Sequence, residues 1–263
     1  MKHLLYLLSC AFIYTICLAD TVNLTWMDGD TTHSKTTCTI GGDLNVPISQ
    51  PTKYGYDFIG WKAKAAKELE YAKFQGGGTS YIDTGIMFDS NEIEYETKLT
   101  FPSDDYNLAF GAEGSCSGST NISNSPGSIS IAGNFNSAVF SVGSTKKGMG
   151  ITRGSTNTCG LYINKTTKDM IVTLNENVSK GTFGGSITTD KNIFIGGTNA
   201  GSDHCGFGGG RVWYFKIKKD GVLVRDFVPV LDPDGVVCFY DKVTKEFFYN
   251  RNGPSLIAGP VIE

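Results

Sequence analysis

The sequence predicts a mainly β protein, a two-sheet antiparallel jelly-roll sandwich of the concanavalin type preceded by a small β module. Apolar and polar residues alternate with a period of two over many short segments, as in strands with one buried face. Turn-forming sequence separates these segments, and Gly supplies 33 of the 263 residues, well above the usual ~7%. About a dozen short strands with such spacing are typical of a β-sandwich.

Two stretches carry the strand prediction most clearly. In the first, one face holds Ile93, Tyr95, Thr97, Leu99 and Phe101, and the other holds Glu92, Glu94, Glu96, Lys98 and Thr100. In the second, Trp213, Phe215 and Ile217 are expected on one face of a later strand. Asp220-Gly221 then predicts a tight turn into the next strand.

The first 19 residues predict a secretory signal peptide. They combine a weakly basic start, apolar residues 4–16 and the small residue Ala19 before the expected cleavage site. The apolar run is shorter than the ~20 residues that span a bilayer, and no later segment is long enough either. We therefore expect a secreted, periplasmic or cell-surface protein without a transmembrane segment. A buried N-terminal helix and a lipoprotein cleavage box at Cys10 are the alternatives.

The charge of the chain argues against nucleic acid and anionic membrane surfaces as partners. Removing residues 1–19 takes away Lys2 and no acid, so the net charge of −3 becomes −4. The remaining basic residues form no clusters, whereas binding to phosphates requires patches of Lys and Arg.

Five cysteines follow residue 19, and their spacing fits no zinc-binding pattern. Some can pair in an oxidising compartment. Cys116 and Cys205 lie in loop-like sequence and are the best candidates for a disulfide. Cys159 and Cys238 lie in or beside strand patterns and are predicted to be small buried residues.

Residues 21–62 form a first unit with two alternating segments and a distinctive ending. Its motifs are Gly41-Gly42-Asp43-Leu44 and Pro51-Thr52-Lys53-Tyr54-Gly55-Tyr56-Asp57-Phe58-Ile59-Gly60-Trp61. These residues resemble the B-repeat of bacterial internalins and related surface proteins. The resemblance implies a small β-grasp-like module that serves as a spacer or adhesive stalk, although only one copy occurs here. Residues 63–69 are expected to form a linker, either short helical or extended.

Residues 70–263 resemble the laminin-G-like, concanavalin-type sandwiches of bacterial surface proteins. The motifs that carry the resemblance are Tyr81-Ile82-Asp83-Thr84-Gly85-Ile86, Leu161-Tyr162-Ile163-Asn164 and the segments 193–197 and 210–217. The resemblance implies a jelly roll that binds a ligand more often than it catalyses a reaction. It supplies no fixed catalytic residues.

Glu92, Glu94 and Glu96 supply the enzyme hypothesis. Retaining glycosidases on this fold use a Glu-x-Asp-x-(x)-Glu run, in which two carboxyl groups about 5–5.5 Å apart act as nucleophile and acid. Glu92 would then be the nucleophile and Glu96 the acid/base. Here the middle residue is Glu instead of Asp, and an acidic outer sheet face explains the same run. No catalytic residue is therefore assigned.

Asp203 and His204 are the candidates for ligand binding, because they lie in an expected loop before the Trp213 strand. A polar turn, in which Asp203 bonds its own backbone, explains the same residues. The acidic residues near the end fit no EF-hand spacing. No metal or cofactor is assigned, and calcium has no motif to support it.

The leading interpretation is a secreted or cell-surface, non-enzymatic binding or adhesion protein that recognises a glycan or an extracellular protein. One alternative is a glycoside hydrolase or lyase that uses the Glu92, Glu94 and Glu96 strand. Another is a purely structural surface component.

Overall fold

The computed structural model divides the chain into two units, residues 1–65 and residues 66–263. It describes residues 21–28, 31–39, 66–75, 80–101, 107–112, 129–134, 137–152, 154–185, 187, 190–199, 204–206 and 210–262. The predicted signal peptide and the Gly-Tyr-x-Phe ending of the first unit lie outside these ranges. Within them, no helix has the length and apolar character needed to cross a membrane.

The first unit contains an antiparallel pair of strands, β1 (Thr21–Asp28) and β2 (Thr31–Thr39). The alternating sequence predicted both. Trp26 on β1 is only 8% exposed, and its indole Nε1 donates a hydrogen bond to Thr36 Oγ1 at 2.7 Å. A buried indole with a satisfied N–H is typical of a packing residue. The internalin-like module remains a prediction, because residues 40–65 lie outside the described ranges.

The second unit is built from β-strands throughout its described residues. In chain order they are β3 (Lys67–Glu68), β4 (Ala72–Lys73), β5 (Ile82–Asp83), β6 (Glu92–Thr100), β7 (Asn107–Ala112), β8 (Ile129–Asn134), β9 (Ser137–Val142), β10 (Thr145–Gly150), β11 (Thr156–Asn164), β12 (Asp169–Leu174), β13 (Asn177–Thr182), β14 (Phe194–Ile195), β15 (Gly197–Asn199), β16 (His204–Gly206), β17 (Arg211–Lys219), β18 (Val222–Leu231), β19 (Val237–Asp241), β20 (Glu246–Phe248) and β21 (Ile257–Ala258).

These strands form two sheets. The larger sheet has the order β13-β12-β11-β6-β17-β18-β19-β20, with β3 on β18, and with β4 paired to both β17 and β21. The smaller sheet has the order β10-β9-β8-β7-β14-β5, and β15 joins it through β7 and β16. The described pairings are antiparallel except that of β15 with β7. The predicted two-sheet antiparallel sandwich is therefore confirmed. Strand β3 lies inside the expected linker range, 63–69, and is extended.

The inner faces of the two sheets share one core. Tyr95 on β6, Phe110 on β7 and Phe215 on β17 are buried there, with Tyr95 and Phe110 ring centroids 5.5 Å apart and those of Phe110 and Phe215 4.8 Å apart. Burying each such ring stabilises the fold by ~1.5–3 kcal/mol. Strand β6 alternates as predicted up to Leu99, because Ile93, Tyr95, Thr97 and Leu99 are buried while the glutamates between them are half-buried. The prediction is wrong for the last residue of the strand, since Thr100 was expected on the outer face and is buried.

A β-bulge in β17 corrects the prediction for Trp213. The register between β17 and β6 shifts between Val212 and Tyr214, so that Val212, Phe215 and Ile217 face the core. Trp213 and Tyr214 are half-exposed instead. A bulge places an extra residue in one strand and so changes which side chains share a face. The simple alternation that placed Trp213 with Phe215 does not account for that extra residue.

Two cysteines behave as predicted. Cys159 on β11 and Cys238 on β19 are buried free thiols. Burial raises the pKa of each thiol to about 12, and the negative charge of Asp232 adds to the rise at Cys238. Both therefore stay protonated and unreactive at neutral pH.

Candidate functional site

The outer face of the larger sheet holds the acidic run that the sequence singled out. We define the outer face as the side chains of β6, β11 and β17 that point away from the core. In the strand register, Glu94 lies between Tyr162 and Lys218, and Glu96 lies opposite Lys216. Directly opposite residues on neighbouring strands have Cβ atoms about 4.5–5.5 Å apart, so these side chains interact. The outer face is therefore mixed in charge.

Each glutamate of the run has its own partner. Asn164 Nδ2 donates to Glu92 Oε1 at 2.8 Å, Lys218 Nζ lies 3.1 Å from Glu94 Oε1, and Tyr214 OH donates to Glu96 Oε1 at 2.8 Å. Three separate partners hold the three carboxylates along the strand. Such an arrangement is typical of a hydrogen-bonded sheet surface. The partly exposed ion pair of Lys218 with Glu94 contributes only ~0–1 kcal/mol to stability.

Tyr214 is fixed by this arrangement as a neutral hydrogen-bond donor. Its pKa is raised to about 12, first because burial disfavours the phenolate and then because the hydroxyl donates to the Glu96 carboxylate. Lys216 Nζ lies 5.4 Å from the Tyr214 ring centroid. The half-exposed ring thus has a fixed orientation and a cation beside it.

A second group of side chains surrounds Trp213, and we name it the Trp213 cluster: Glu70, Tyr71, Lys98, Arg211 and Trp213. The Tyr71 and Trp213 rings have centroids 5.2 Å apart and are tilted by 53°. The Arg211 guanidinium lies 4.9 Å from the Tyr71 ring centroid, and Lys98 Nζ lies 5.5 Å from the Trp213 ring centroid. The indole Nε1 of Trp213 donates to Glu70 Oε1 at 3.4 Å.

The sequence indicated only part of this cluster. Trp213 was expected in the core, and Tyr71, which follows the expected linker 63–69, was not singled out. They meet because Arg211 and Val212 on β17 pair with Lys73 and Ala72 on β4. A contact between segments roughly 140 residues apart depends on strand pairing, which a single sequence does not specify.

The other predicted site residues fall in part outside the described ranges. Asp203 and Cys116 lie outside them. His204 and Cys205 belong to β16, whose backbone pairs with β15, so this part of the expected loop is a short hairpin strand. Nothing is described of their side chains, and both the ligand site and the Cys116–Cys205 disulfide remain predictions. No cluster of three or more His, Cys, Asp or Glu side chains able to hold a metal occurs among the described residues.

No protein-family model matches the sequence, and no curated protein matches it either. Solved structures match its fold. One is a protein from Bacteroides ovatus assigned provisionally to carbohydrate binding, with a TM-score of 0.47 and 13% identity over 74% of this chain and 62% of that chain. Another is the CBM40 module of a Ruminococcus gnavus IT-sialidase bound to α2,3-sialyllactose, with a TM-score of 0.42 and 15% identity over 60% of this chain and 93% of that chain.

A third match is the pair of domains LG4-5 of the mouse laminin α1 chain, with a TM-score of 0.37 and 14% identity over 68% of this chain and 48% of that chain. The present chain thus spans 62% of the length of the Bacteroides protein and about half that of the laminin fragment. At these identities the similarity concerns the fold alone. The internalin-like unit remains a prediction.

Proposed function

We propose that the second unit is a non-catalytic binding domain that takes a glycan at the Trp213 cluster. The observation that carries this proposal is the bulge in β17, which leaves Trp213 half-exposed beside Tyr71. The bulge places Trp213 on the outer side of the larger sheet, where its indole is partly exposed, instead of in the core.

The chemistry of the cluster suits a sugar ring. An aromatic face offers an apolar surface against which the C–H side of a pyranose can pack. Around it, Glu70 supplies acceptors while Lys98 and Arg211 supply charged donors for hydroxyl groups. A few polar groups placed around an apolar patch are the usual composition of a ligand site.

The contacts of the glutamate run on β6 count against a catalytic role. A retaining glycosidase needs two free carboxyl groups that face one sugar. Here Asn164 donates to Glu92, the expected nucleophile, and Tyr214 donates to Glu96, the expected acid/base, each from a neighbouring strand. The enzyme alternative therefore ranks below binding, and the secreted or cell-surface setting rests on the predicted signal peptide.

A glycan array probed with the purified chain, with and without calcium, tests the proposal. We expect binding to a restricted group of glycans and about a tenfold loss in Trp213→Ala, because truncating a central aromatic commonly removes more than 1 kcal/mol. Val178→Ala is the control, since Val178 lies 58% exposed on the edge strand β13. It should bind as the original chain does.

Three outcomes would count against the proposal. A blank array would favour a protein partner or a purely structural role. An equal loss of glycan affinity in Trp213→Ala and Val178→Ala would show that the Trp213 cluster is not the binding surface. Cleavage of a bound glycan that is abolished by Glu96→Gln would restore the glycoside hydrolase alternative.

A further inference from the structure

An open depression of about 440 Å³ lies beside the hairpin of β18 and β19, apart from the Trp213 cluster. One wall follows the turn at residues 232–236, and the other is the segment 249–256 after β20. Its lining residues are Val236, Val237, Tyr249, Asn250, Arg251, Asn252, Gly253, Ser255 and Leu256. A volume of this size is within the ~300–1,000 Å³ typical of small-ligand sites.

Hydrogen bonds fix the wall formed by residues 249–256. The Tyr81 amide donates to Asn250 Oδ1 at 3.0 Å, and the Arg251 amide donates to the Tyr81 carbonyl at 3.0 Å. Ser80 Oγ donates to the Pro254 carbonyl at 2.7 Å. These bonds join the segment to the strand region before β5. The wall is thus ordered before any ligand arrives, which lowers the entropic cost of binding.

Asp232 fixes the opposite wall, the turn at residues 232–236, and joins it to the ring of Tyr249. Its Oδ1 accepts from the amides of Asp234 and Val236 at 2.9 and 2.8 Å, and its Oδ2 accepts from Tyr249 OH at 2.9 Å. Burial, followed by the hydrogen bond to Asp232, raises the pKa of Tyr249 well above its usual value. The Tyr249 ring therefore stays neutral and keeps its orientation while 43% of the residue is exposed. Val236, 49% exposed, adds to this apolar surface.

Arg251 supplies the charged group of the depression. Its side chain is exposed, and it makes no hydrogen bond or ion pair with another described residue. A guanidinium is always charged at neutral pH and offers two parallel N–H donors that match a carboxylate. A depression lined both by an exposed aromatic ring and by a guanidinium that pairs with no other described residue suits a ligand with a compact body and one carboxylate.

We propose that this depression is a second ligand site that takes an acidic sugar, with the pyranose ring against Tyr249 and Val236 and its carboxylate on Arg251. The site is independent of the Trp213 cluster, so either site can exist without the other. A hexuronic acid has this chemistry, because its ring presents C–H groups on one side and carries the carboxylate at carbon 6.

Amide chemical shifts of the isotopically labelled chain test the proposal. The probes are α-1,4-digalacturonate, the corresponding diglucuronate and neutral α-1,4-galactobiose, which differs from digalacturonate only in its oxidation at carbon 6. At least one acidic disaccharide should shift the amides of Val236, Val237 and residues 250–253. Galactobiose should bind about tenfold more weakly, because it cannot form the charge-assisted pair.

Matched variants assign the effect to Arg251. Arg251→Gln should weaken binding of the acidic disaccharide about tenfold, whereas Lys180→Gln, the same charge change on the exposed edge strand β13, should leave it unchanged. Trp213→Ala should also leave it unchanged, which separates this site from the Trp213 cluster.

The proposal is overturned if neither acidic disaccharide shifts these amides at concentrations up to ~10 mM. It is also overturned if Arg251→Gln and Lys180→Gln have equal effects, or if galactobiose binds as tightly as the acidic disaccharide that shifts these amides. A short peptide whose free C-terminal carboxylate binds here in place of both acidic sugars would reassign the depression to a peptide ligand.

Discussion

Single residues decide how closely the two sheets approach each other. Gly196, between β14 and β15, has φ +85° and lies against the buried ring of Phe74. A Cβ atom added there would lie 2.1 Å from Phe74 Cε1. The glycine is required both for its backbone conformation and for the space that the aromatic core occupies.

Replacing Gly196 by Ala should therefore destabilise the second unit. We expect the free energy of unfolding to fall by about 2–4 kcal/mol, from overpacking together with the positive φ. Gly221→Ala is the control, because Gly221 has φ +79° but open space around it. Chemical denaturation should show a loss of only ~1 kcal/mol there. Equal losses in the two variants would contradict the close contact with Phe74.

Tyr95 gives a second test at this scale, because its hydroxyl is buried and has no hydrogen-bond partner among the residues that the structure describes. A buried, unsatisfied polar group costs ~1–3 kcal/mol, and burial also raises the pKa of this phenol. Tyr95→Phe should therefore raise the free energy of unfolding by about 1 kcal/mol. Tyr95→Leu, which removes the ring contacts with Phe110, should lower it. A loss of stability in Tyr95→Phe would mean that the hydroxyl has a partner.

At the scale of elements, the hairpin of β17 and β18 anchors the centre of the larger sheet. Its two turn residues, Asp220 and Gly221, have φ values of 48° and 79°, as a two-residue type I′ turn requires. Asp220 also reaches the start of β6, because its Oδ1 accepts from the Glu92 amide at 2.8 Å. One side chain thus links three strands.

Asp220→Ala should cost about 1–2 kcal/mol of unfolding free energy, since it removes that acceptor and leaves alanine at positive φ. Asp220→Asn should remain within ~0.5 kcal/mol of the original chain, because Asn tolerates positive φ and keeps an acceptor oxygen. Urea denaturation measures both. If the two variants lose the same stability, the hydrogen bond to Glu92 contributes nothing.

Elements differ in how well the sequence predicts them. The turn at Asp220-Gly221 and the alternation of β6 are local signals, and both match the structure. The outward position of Trp213 is not local, because the bulge is defined by the register of β17 against β6. The contact of Trp213 with Tyr71 requires the pairing of β4 with β17 as well. The acidic run was expected on a solvated outer face and lies on the outer face of β6, half-buried, whereas the contacts of the Trp213 cluster were not predicted.

At the scale of the whole molecule, thiol and phenol groups whose pKa is raised by folding make the stability depend on pH in the alkaline range. Cys159 and Cys238 have pKa values raised from 9.0 to about 12, and Tyr214 has a pKa raised from 10.0 to about 12. In each case folding favours the protonated form. The stabilisation is thus complete below the unfolded pKa and is lost as pH rises through the folded pKa.

We therefore expect the free energy of unfolding to fall between pH 9 and about pH 12. Cys159→Ala should be less stable at neutral pH, because removing the sulfur leaves a cavity in the core. Its unfolding free energy should nevertheless fall less across this alkaline window, because one titrating thiol is gone. Denaturation at a series of pH values measures the slope. An unchanged slope in Cys159→Ala would show that this thiol does not titrate with unfolding.

The function proposed for the whole molecule rests on Trp213 being accessible to a glycan. The chain has three tryptophans, so its indole N–H region in an NMR spectrum is simple, and Trp213→Phe identifies the signal of Trp213. Titration with a glycan selected on the array should shift the Trp213 indole signal and leave that of buried Trp26 in place. A glycan that binds the chain while the Trp213 signal stays unchanged would contradict the proposal.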